Sequence, residues 1–581
     1  MSSPRGSTGL LGWLDARSGW VTGLRRFFAM TVPGGPSISY VFGFTLAMAF
    51  FLQTLTGVLL AFHFVPSSTD AWGSVYFIQN EVTLGWLIRG AHHFGASAVV
   101  VLLVLHMTQT FLAGAYRAPR ELNWLSGVML LAVVLGFSLT GYLLPWDQKG
   151  YWATRVATGI MGTLPGVGGA VQQLAMGGTD YGNATLSRFY ATHVFVLPAL
   201  LFGLLAIHVG LHRRHGYTPL PWRPAGEAGS APFWPGQALL NLFAVALVVV
   251  TLVVLSLTLG ASLEAPADQS ADYEARPEWY YLFLFQLLKI FEGPLTLVGT
   301  VVLPGAVGAF LMLLPFLDRK GDRHPRARLA FVVPFLGGLV GVGGLTAQAL
   351  LEDARDPAVQ DKQALARIEA AEAARYAGVF NVGIDAEGKV VLFEGKRVFR
   401  REKCGECHQV GSPDPGRTDR IPKSPRLDGY LSRAWIRGFL ENPSADERYG
   451  RTKLRRDEDA GTGMPAFAHL GPDALDALTE LIASQSGLVH EPPINPERVA
   501  AAAAPFDAEC STCHTLDGTA AAGPSLQGYG SAEWLRGLLK DPTHERFYGP
   551  LGSGMPRFDH LSAPDTGYLI AWLQHLRLEP Q

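Results

Sequence analysis

Seven stretches of the chain lack Asp, Glu, Lys and Arg and are long enough to cross a bilayer: 38–65, 92–115, 124–144, 190–211, 236–260, 297–317 and 329–350. About 20 apolar residues suffice to span. Backbone groups in lipid must be satisfied within their own segment, so each stretch predicts a helix. Trp279–Leu288 is apolar but too short, and predicts a helix at the membrane surface or folded into the protein. After residue 350 the pattern changes. Residues 351–378 are rich in Ala, Glu, Arg and Asp and predict a solvated helix, and the alternation in Lys389–Phe393 predicts a short strand or extended linker. The expected fold is all-α, a seven-helix membrane part followed by two small helical soluble domains.

Composition agrees with this division. Of 581 residues, 48% are hydrophobic and only 17% charged, against about a quarter charged in soluble domains. Lys+Arg and Asp+Glu number 47 and 49, which excludes a nucleic-acid binder as well as a disordered chain. Residues 1–30 hold Arg5, Arg17, Arg25 and Arg26 and no continuous apolar core, so no signal peptide is expected. The N-terminus and the second, fourth and sixth loops carry more than twice the Lys and Arg of the opposite loops. That bias predicts a cytoplasmic N-terminus and, after seven crossings, an outer C-terminal part.

Imidazole is costly in lipid and marks function. The second span holds His92, His93 and His106, and the fourth holds His193 and His208. At 100° per residue, positions 14 apart return to within about 40° and positions 15 apart to within about 60° of one face. His92/His106 and His193/His208 therefore form vertical pairs, whereas His93 points away from His106. Two helices with two stacked histidines each fit two metal centres, and a flat macrocycle with two axial imidazoles suits that geometry. Gly43 and Gly57 in the first span and Gly127 and Gly141 in the third share the fourteen-residue spacing, which leaves room for a large planar group against the backbone. Arg89, one turn before His92, is placed to pair with a haem propionate.

The stretches Arg89-Gly-Ala-His92, Pro119-Arg-Glu-Leu122, Gly141-Tyr-Leu-Leu-Pro-Trp-Asp-Gln148, Arg188-Phe-Tyr190 and Pro277-Glu-Trp-Tyr280 resemble cytochrome b of the quinol-oxidising bc complexes, in its shorter chloroplast-type form. In that form the first four helices and the last three are separate chains; here they are continuous. The resemblance implies two haems b, held by His92 with His193 and by His106 with His208. It implies a quinol site where Glu278 accepts a proton, with Tyr280 of the same motif also catalytic, and a second quinone site near the inner haem. A homodimeric complex in the cell inner membrane is expected with it. Independently of the resemblance, a carboxylate ending an apolar segment is partly desolvated, which raises its pKa toward a useful range. One departure is Val41, where the chloroplast-type chain has a cysteine for an extra haem, so none is expected here.

All four cysteines lie in Cys404-Gly-Glu-Cys407-His408 and Cys510-Ser-Thr-Cys513-His514. C-x-x-C-H is the c-type haem attachment signature, two thioethers and an axial imidazole. Two copies, each followed by His, argue against a thioredoxin-like thiol pair. Met464 and Met555 sit in matching Gly-x-Gly-Met-Pro settings and are the candidate sixth ligands of the first and second haem respectively; His469 and His560, five residues further on, are the alternatives. Leu427–Tyr430 matches Leu526–Tyr529, and Trp435–Gly438 matches Trp534–Gly537, an internal repeat resembling class I cytochrome c. The expected organisation is an N-terminal segment 1–36, a four-helix di-haem part 37–215, a three-helix part 216–350, a linker 351–395, and c-type domains 396–490 and 497–581.

The expectation is a quinol:cytochrome c oxidoreductase subunit. It divides the electrons of quinol between a high-potential carrier and the two b haems, coupled to proton translocation, and passes electrons through two c haems to a downstream cytochrome c or terminal oxidase. The family's high-potential carrier is a Rieske protein, whose cluster needs two Cys and two His; with every cysteine already assigned, it must be a separate chain. A non-bifurcating membrane electron relay and a haem-based sensor are the rival readings.

Overall fold

The computed structural model describes residues 10–23, 29–222, 229–376 except 270 and 272, 385–410, 424–445, 448, and 463–578 except 491, 520 and 549–553. Arg5, Arg25 and Arg26 lie outside these residues. The chain divides into two compact units, residues 1–374 and 375–581.

Among the described residues of the first unit, seven helices are long and apolar enough to cross a membrane: α1 (Ile38–Ala61), α2 (Gly85–Leu112), α3 (Glu121–Tyr142), α4 (Asn183–His215), α5 (Phe233–Thr258), α6 (Val298–Leu317) and α7 (Pro325–Arg355). α1 packs along α2 and α3 along α4, enclosing Leu46, Phe50, Val99, Val133 and Leu197. Phe51, Val101, Leu135 and Phe202 on the opposite faces are exposed. Apolar side chains facing outward at this density suit lipid.

Where the helices depart from the expected spans, polar groups explain the difference. α2 begins before Arg89, because that guanidinium is buried and donates to the carbonyls of Ala261 (2.6 Å) and Ser262 (2.7 Å) and to Gln79 Oε1. α4 contains a π-helical turn, Thr192–Val196. Pro198 follows it, and a proline lacks the N–H that a regular turn would use. A π turn inserts one residue. The fifteen-residue interval from His193 to His208 thereby gains the register of the fourteen-residue interval on α2. The short apolar helix is present as Trp279–Ile290 and ties to α7 through Gln286 and Lys289, which both bond Glu352 (3.0 and 3.1 Å).

A buried polar knot joins the loop after α2 to the loop between α6 and α7. Asp318 accepts from Arg117, Tyr116 and Arg328, and Arg328 also donates to the carbonyls of Phe111 (3.0 Å) and Leu112 (2.8 Å). Near the other end of the bundle, the Pro-Trp-Asp-Gln segment pairs with residues 264–268: Gln148 N–H donates to Ala265 O (2.9 Å) and Ala267 N–H to Trp146 O (3.0 Å). A two-residue ladder, Thr31–Val32 with Ala231–Pro232, fastens the N-terminal segment.

α8 (Pro357–Tyr376) is largely exposed, as its composition predicts. The second unit then opens with α9 (Asp385–Arg401). The extended reading of Lys389–Phe393 is overturned: the segment is helical. Leu392, Gly395, Val398 and Phe399 recur at helical spacing on the core side, and burial of that stripe outweighs the local alternation. Further helices among its described residues include α10 (Arg433–Glu441), α11 (Pro472–Gln485), α12 (Pro496–Ala501), α13 (Ala503–Glu509), α14 (Ala532–Lys540) and α15 (Ala563–His575). Ser432 and Ser531 cap α10 and α14 identically, accepting from Trp435 N and Trp534 N. α9 packs on α15, and α12 on α11.

Candidate functional site: paired histidines in the membrane helices

The four membrane histidines meet in two pairs. The ring centroids of His92 and His193 are 6.4 Å apart, and those of His106 and His208 are 6.3 Å apart. Two imidazoles on opposite sides of one iron have centroids about 6.2 Å apart, from about 2 Å per metal–nitrogen bond and roughly 1.1 Å from nitrogen to ring centre.

Each glycine of the fourteen-residue pattern backs one of these rings. A Cβ at Gly43 would lie 3.1 Å from His106 Cε1, at Gly57 3.1 Å from His92 Cε1, at Gly127 3.2 Å from His208 Cε1, and at Gly141 2.5 Å from His193 Cε1. The observed partner of each glycine is therefore the edge of an imidazole.

The residues just before three of these glycines orient the rings. Thr56 Oγ1 lies 2.9 Å from His92 Nδ1, Thr140 Oγ1 3.1 Å from His193 Nδ1, and Ser126 Oγ 3.0 Å from His208 Nδ1. Each hydroxyl donates to a carbonyl of its own helix, Leu52, Gly136 or Asn123. Its lone pair is then left to accept from the ring Nδ1–H, which frees Nε2 as the ligand nitrogen. Phe42 precedes Gly43, and His106 Nδ1 has no hydrogen-bond partner among the described residues. The hydroxyls went unread in the sequence, although the Ser/Thr-Gly pairs were visible.

His92 and His193 line a cavity of about 610 Å³ that also contains Gly57, Gly141, Arg89, His93, Glu278 and Tyr280. Glu278 is not alone at the end of its apolar segment. Lys149 Nζ lies 3.1 Å from its Oε1, and the carboxylate is only 15% exposed. Neighbouring aromatic residues hold this wall: Trp279 Nε1 donates to Ser97 Oγ (3.1 Å) and Tyr281 OH to Leu135 O (2.7 Å). In the sequence Lys149 is one loop charge among several. His106 and His208 line a second cavity of about 380 Å³ with Gly43, Gly127, Arg120 and His212.

In the second unit, His408 Nδ1 is 2.9 Å from Pro425 O and His514 Nδ1 is 2.8 Å from Pro524 O. Both rings are tied through Nδ1 in the same way, again leaving Nε2 free. Cys404, Met464 and Met555 pack against the common core, and Cys510 is buried in it. Burial pushes the Cys404 thiol up to about 12; a thiol–disulfide reagent needs the opposite shift.

Three family profiles match the chain: "Cytochrome b/b6/petB" over residues 27–216, "Cytochrome b(C-terminal)/b6/petD" over 266–351, and "Cytochrome c" over 393–486. The chain is 47% identical over 180 residues to the menaquinol:cytochrome c reductase cytochrome b subunit of Bacillus subtilis, covering 31% of this chain and 80% of that one. It is 41% identical over 187 residues to cytochrome b6 of Mastigocladus laminosus, covering 32% and 87%. It is 36% identical over 297 residues to the cytochrome bc complex cytochrome b subunit of Chlorobaculum thiosulfatiphilum, covering 50% and 69%. The chain belongs to the cytochrome b/b6 family.

Among solved structures it resembles a chain of a hyperthermophilic respiratory complex III, with a TM-score of 0.53 and 28% identity over 63% of this chain and 97% of that one. This cytochrome b is a multi-pass membrane electron-transfer protein joined to cytochrome c, and the two domain types imply haem b and haem c. The paired rings and the glycine cradle fit haem b at the histidine pairs.

Proposed function

We propose that this cytochrome b is the quinol-oxidising subunit of a bc-type complex. In this reading it divides the electrons of a membrane quinol between a separate Rieske protein and the two b haems. High-potential electrons then pass through two c haems to a downstream cytochrome c or terminal oxidase. When bound, the haems supply one-electron relays. The chain's own residues hold them and manage the protons. His92/His193 and His106/His208 are the proposed b-haem ligands, with hydroxyls fixing three of the rings. Cys404, Cys407 and His408, and Cys510, Cys513 and His514, are the proposed c-haem attachment sites.

The observation that carries the reading is that Glu278 and the His92/His193 pair line one cavity. A quinol bound there would lose its proton to Glu278 beside the His92/His193 pair, which would hold the haem that supplies one-electron chemistry. Glu278, beside Lys149, is the proposed acceptor of that proton, and Tyr280 lines the same wall. The loop charges favour an outer position for this cavity; in this reading protons leave there and are taken up at the His106/His208 side.

The test is quinol:cytochrome c turnover by the purified complex. Glu278→Gln is expected to slow it by on the order of 10²-fold, the contribution of a positioned acid–base group, while b-haem content is unchanged. Unaltered turnover with a short-chain quinol removes Glu278 from the reaction. Purification without a Rieske chain favours the relay over the bifurcating complex.

A further inference from the structure

The two c-type repeats exchange helices. α9 leads into Cys404 and α13 into Cys510, so each presents a C-x-x-C-H motif at its C-terminal end. The segments bearing Met464 and Met555 lead into α11 and α15. A repeat closed on itself would cross α9 with α11, and α12–α13 with α15. The observed crossings are the reverse.

On one side, Phe399 of α9 packs on Trp572 of α15 with centroids 4.7 Å apart, and Arg401 pairs with Asp565 at 3.1 Å. Gly395 marks the closest approach: a Cβ there would lie 2.5 Å from Trp572 Cβ and would overlap the Tyr568 carbonyl. The Met555 segment follows its helix. His560 Nε2 lies 2.8 Å from Glu402 Oε2. Met555 is thus five residues, at most about 18 Å of extended chain, from a contact made two residues before Cys404.

On the other side, α12 docks on α11. Arg498 pairs with Asp476 at 3.5 Å and the Asn495 N–H donates to Glu480 Oε2 at 3.4 Å. The middle helices stay with their own repeats: Arg433 of α10 pairs with Glu480 of α11 at 2.8 Å, and α14 packs on α15. The crossing therefore lies in the loops before α10 and α14. There the equivalent residues Leu431 and Gly530 touch, and Gly429 N–H donates to Leu576 O at 3.0 Å.

We infer that each c haem is shared between the repeats: the haem on Cys404 and Cys407, with His408, takes Met555, and the haem on Cys510 and Cys513, with His514, takes Met464. This reverses the pairing expected from sequence order. It rests on the reading that both C-x-x-C-H motifs carry haem. Neither haem site is then complete within one repeat, and the two fold as one unit.

The experiment uses the full-length chain in its complex. Covalent haem is first counted in Cys510→Ala/Cys513→Ala; one c haem is expected, and none would overturn the haem reading itself. In that background Met555→Leu should abolish the sulfur-to-iron charge-transfer band of the remaining haem and lower its midpoint potential, while Met464→Leu should leave both unchanged. The reciprocal background, Cys404→Ala/Cys407→Ala, should reverse the two results. If Met464→Leu removes the band of the first haem, or neither substitution does, the inference is wrong. A second test keeps all cysteines. Arg401→Asp should weaken the band to about half, one haem of two, and Arg401→Asp/Asp565→Arg should restore it. An intact band in the single variant, or no recovery in the double, also overturns the inference.

Discussion

In Gly141→Ala the added Cβ would lie 2.5 Å from Cε1 of His193. Carbon atoms in contact sit about 3.5–4.0 Å apart, so the ring or its helix must retreat by roughly 1 Å. An axial imidazole has little slack, because its nitrogen is held about 2 Å from the iron. The same retreat strains the bond from His193 Nδ1 to Thr140, the residue preceding the glycine. Overpacking a tight site costs about 1–3 kcal/mol, and a lost hydrogen bond about 0.5–1.5 kcal/mol. Together they come to about 1.5–4.5 kcal/mol, which weakens haem binding at that site by roughly 10- to 2,000-fold. At Gly43, Gly57 and Gly127 the Cβ would lie 3.1, 3.1 and 3.2 Å from its ring, so the retreat is only about 0.3–0.4 Å.

The four alanine variants therefore form a ranked series. Haem b per chain by pyridine haemochrome, with a redox titration of each preparation, reads it out. Gly141→Ala should lose one b haem or its distinct potential; the other three should keep both haems with shifted potentials. If Gly141→Ala retains both haems at wild-type potentials while Gly127→Ala does not, the steric reasoning is refuted.

Thr140→Val removes the acceptor for His193 Nδ1–H while keeping shape; the potential of one b haem should shift and the other should not, as a titration would show. Lys149→Met leaves the Glu278 carboxylate without its cation and should slow quinol oxidation with b-haem content unchanged; normal turnover would assign the pair a structural role only. Asp318→Asn leaves Arg117 and Arg328 buried without their counter-charge and should destabilise the membrane part by about 3–5 kcal/mol, seen as a fall in thermal midpoint or assembled yield. Burial holds the Asp147 carboxyl above its ordinary range. Its stabilising contribution is complete below the unfolded pKa and is lost as pH rises through the folded one. Thermal midpoints against pH should show that decline in the wild type and not in Asp147→Asn.

Much of the membrane architecture is determined by sequence alone, because lipid leaves the backbone little choice. Uncharged runs long enough to span become helices, and all seven do. The spacings of His92 with His106 and of the two glycine pairs put those residues in register for the same reason, since a helix of known pitch converts residue number into angle. The two C-x-x-C-H motifs name their own chemistry. Tertiary structure decided what depends on a partner distant in the chain. The π turn after Thr192 corrects the His193–His208 interval. The Lys149–Glu278 pair joins residues 129 positions apart, and no local pattern announces it. The Ser and Thr hydroxyls before the glycines became meaningful only once each was seen against an imidazole. The segment 389–393 read as extended until α15 supplied the surface that buries one helical stripe of α9. The exchange of helices between the repeats lies furthest from the sequence. Two similar repeats offer two ways to pair their helices, and the packing of α9 against α15 and of α12 against α11 distinguishes them.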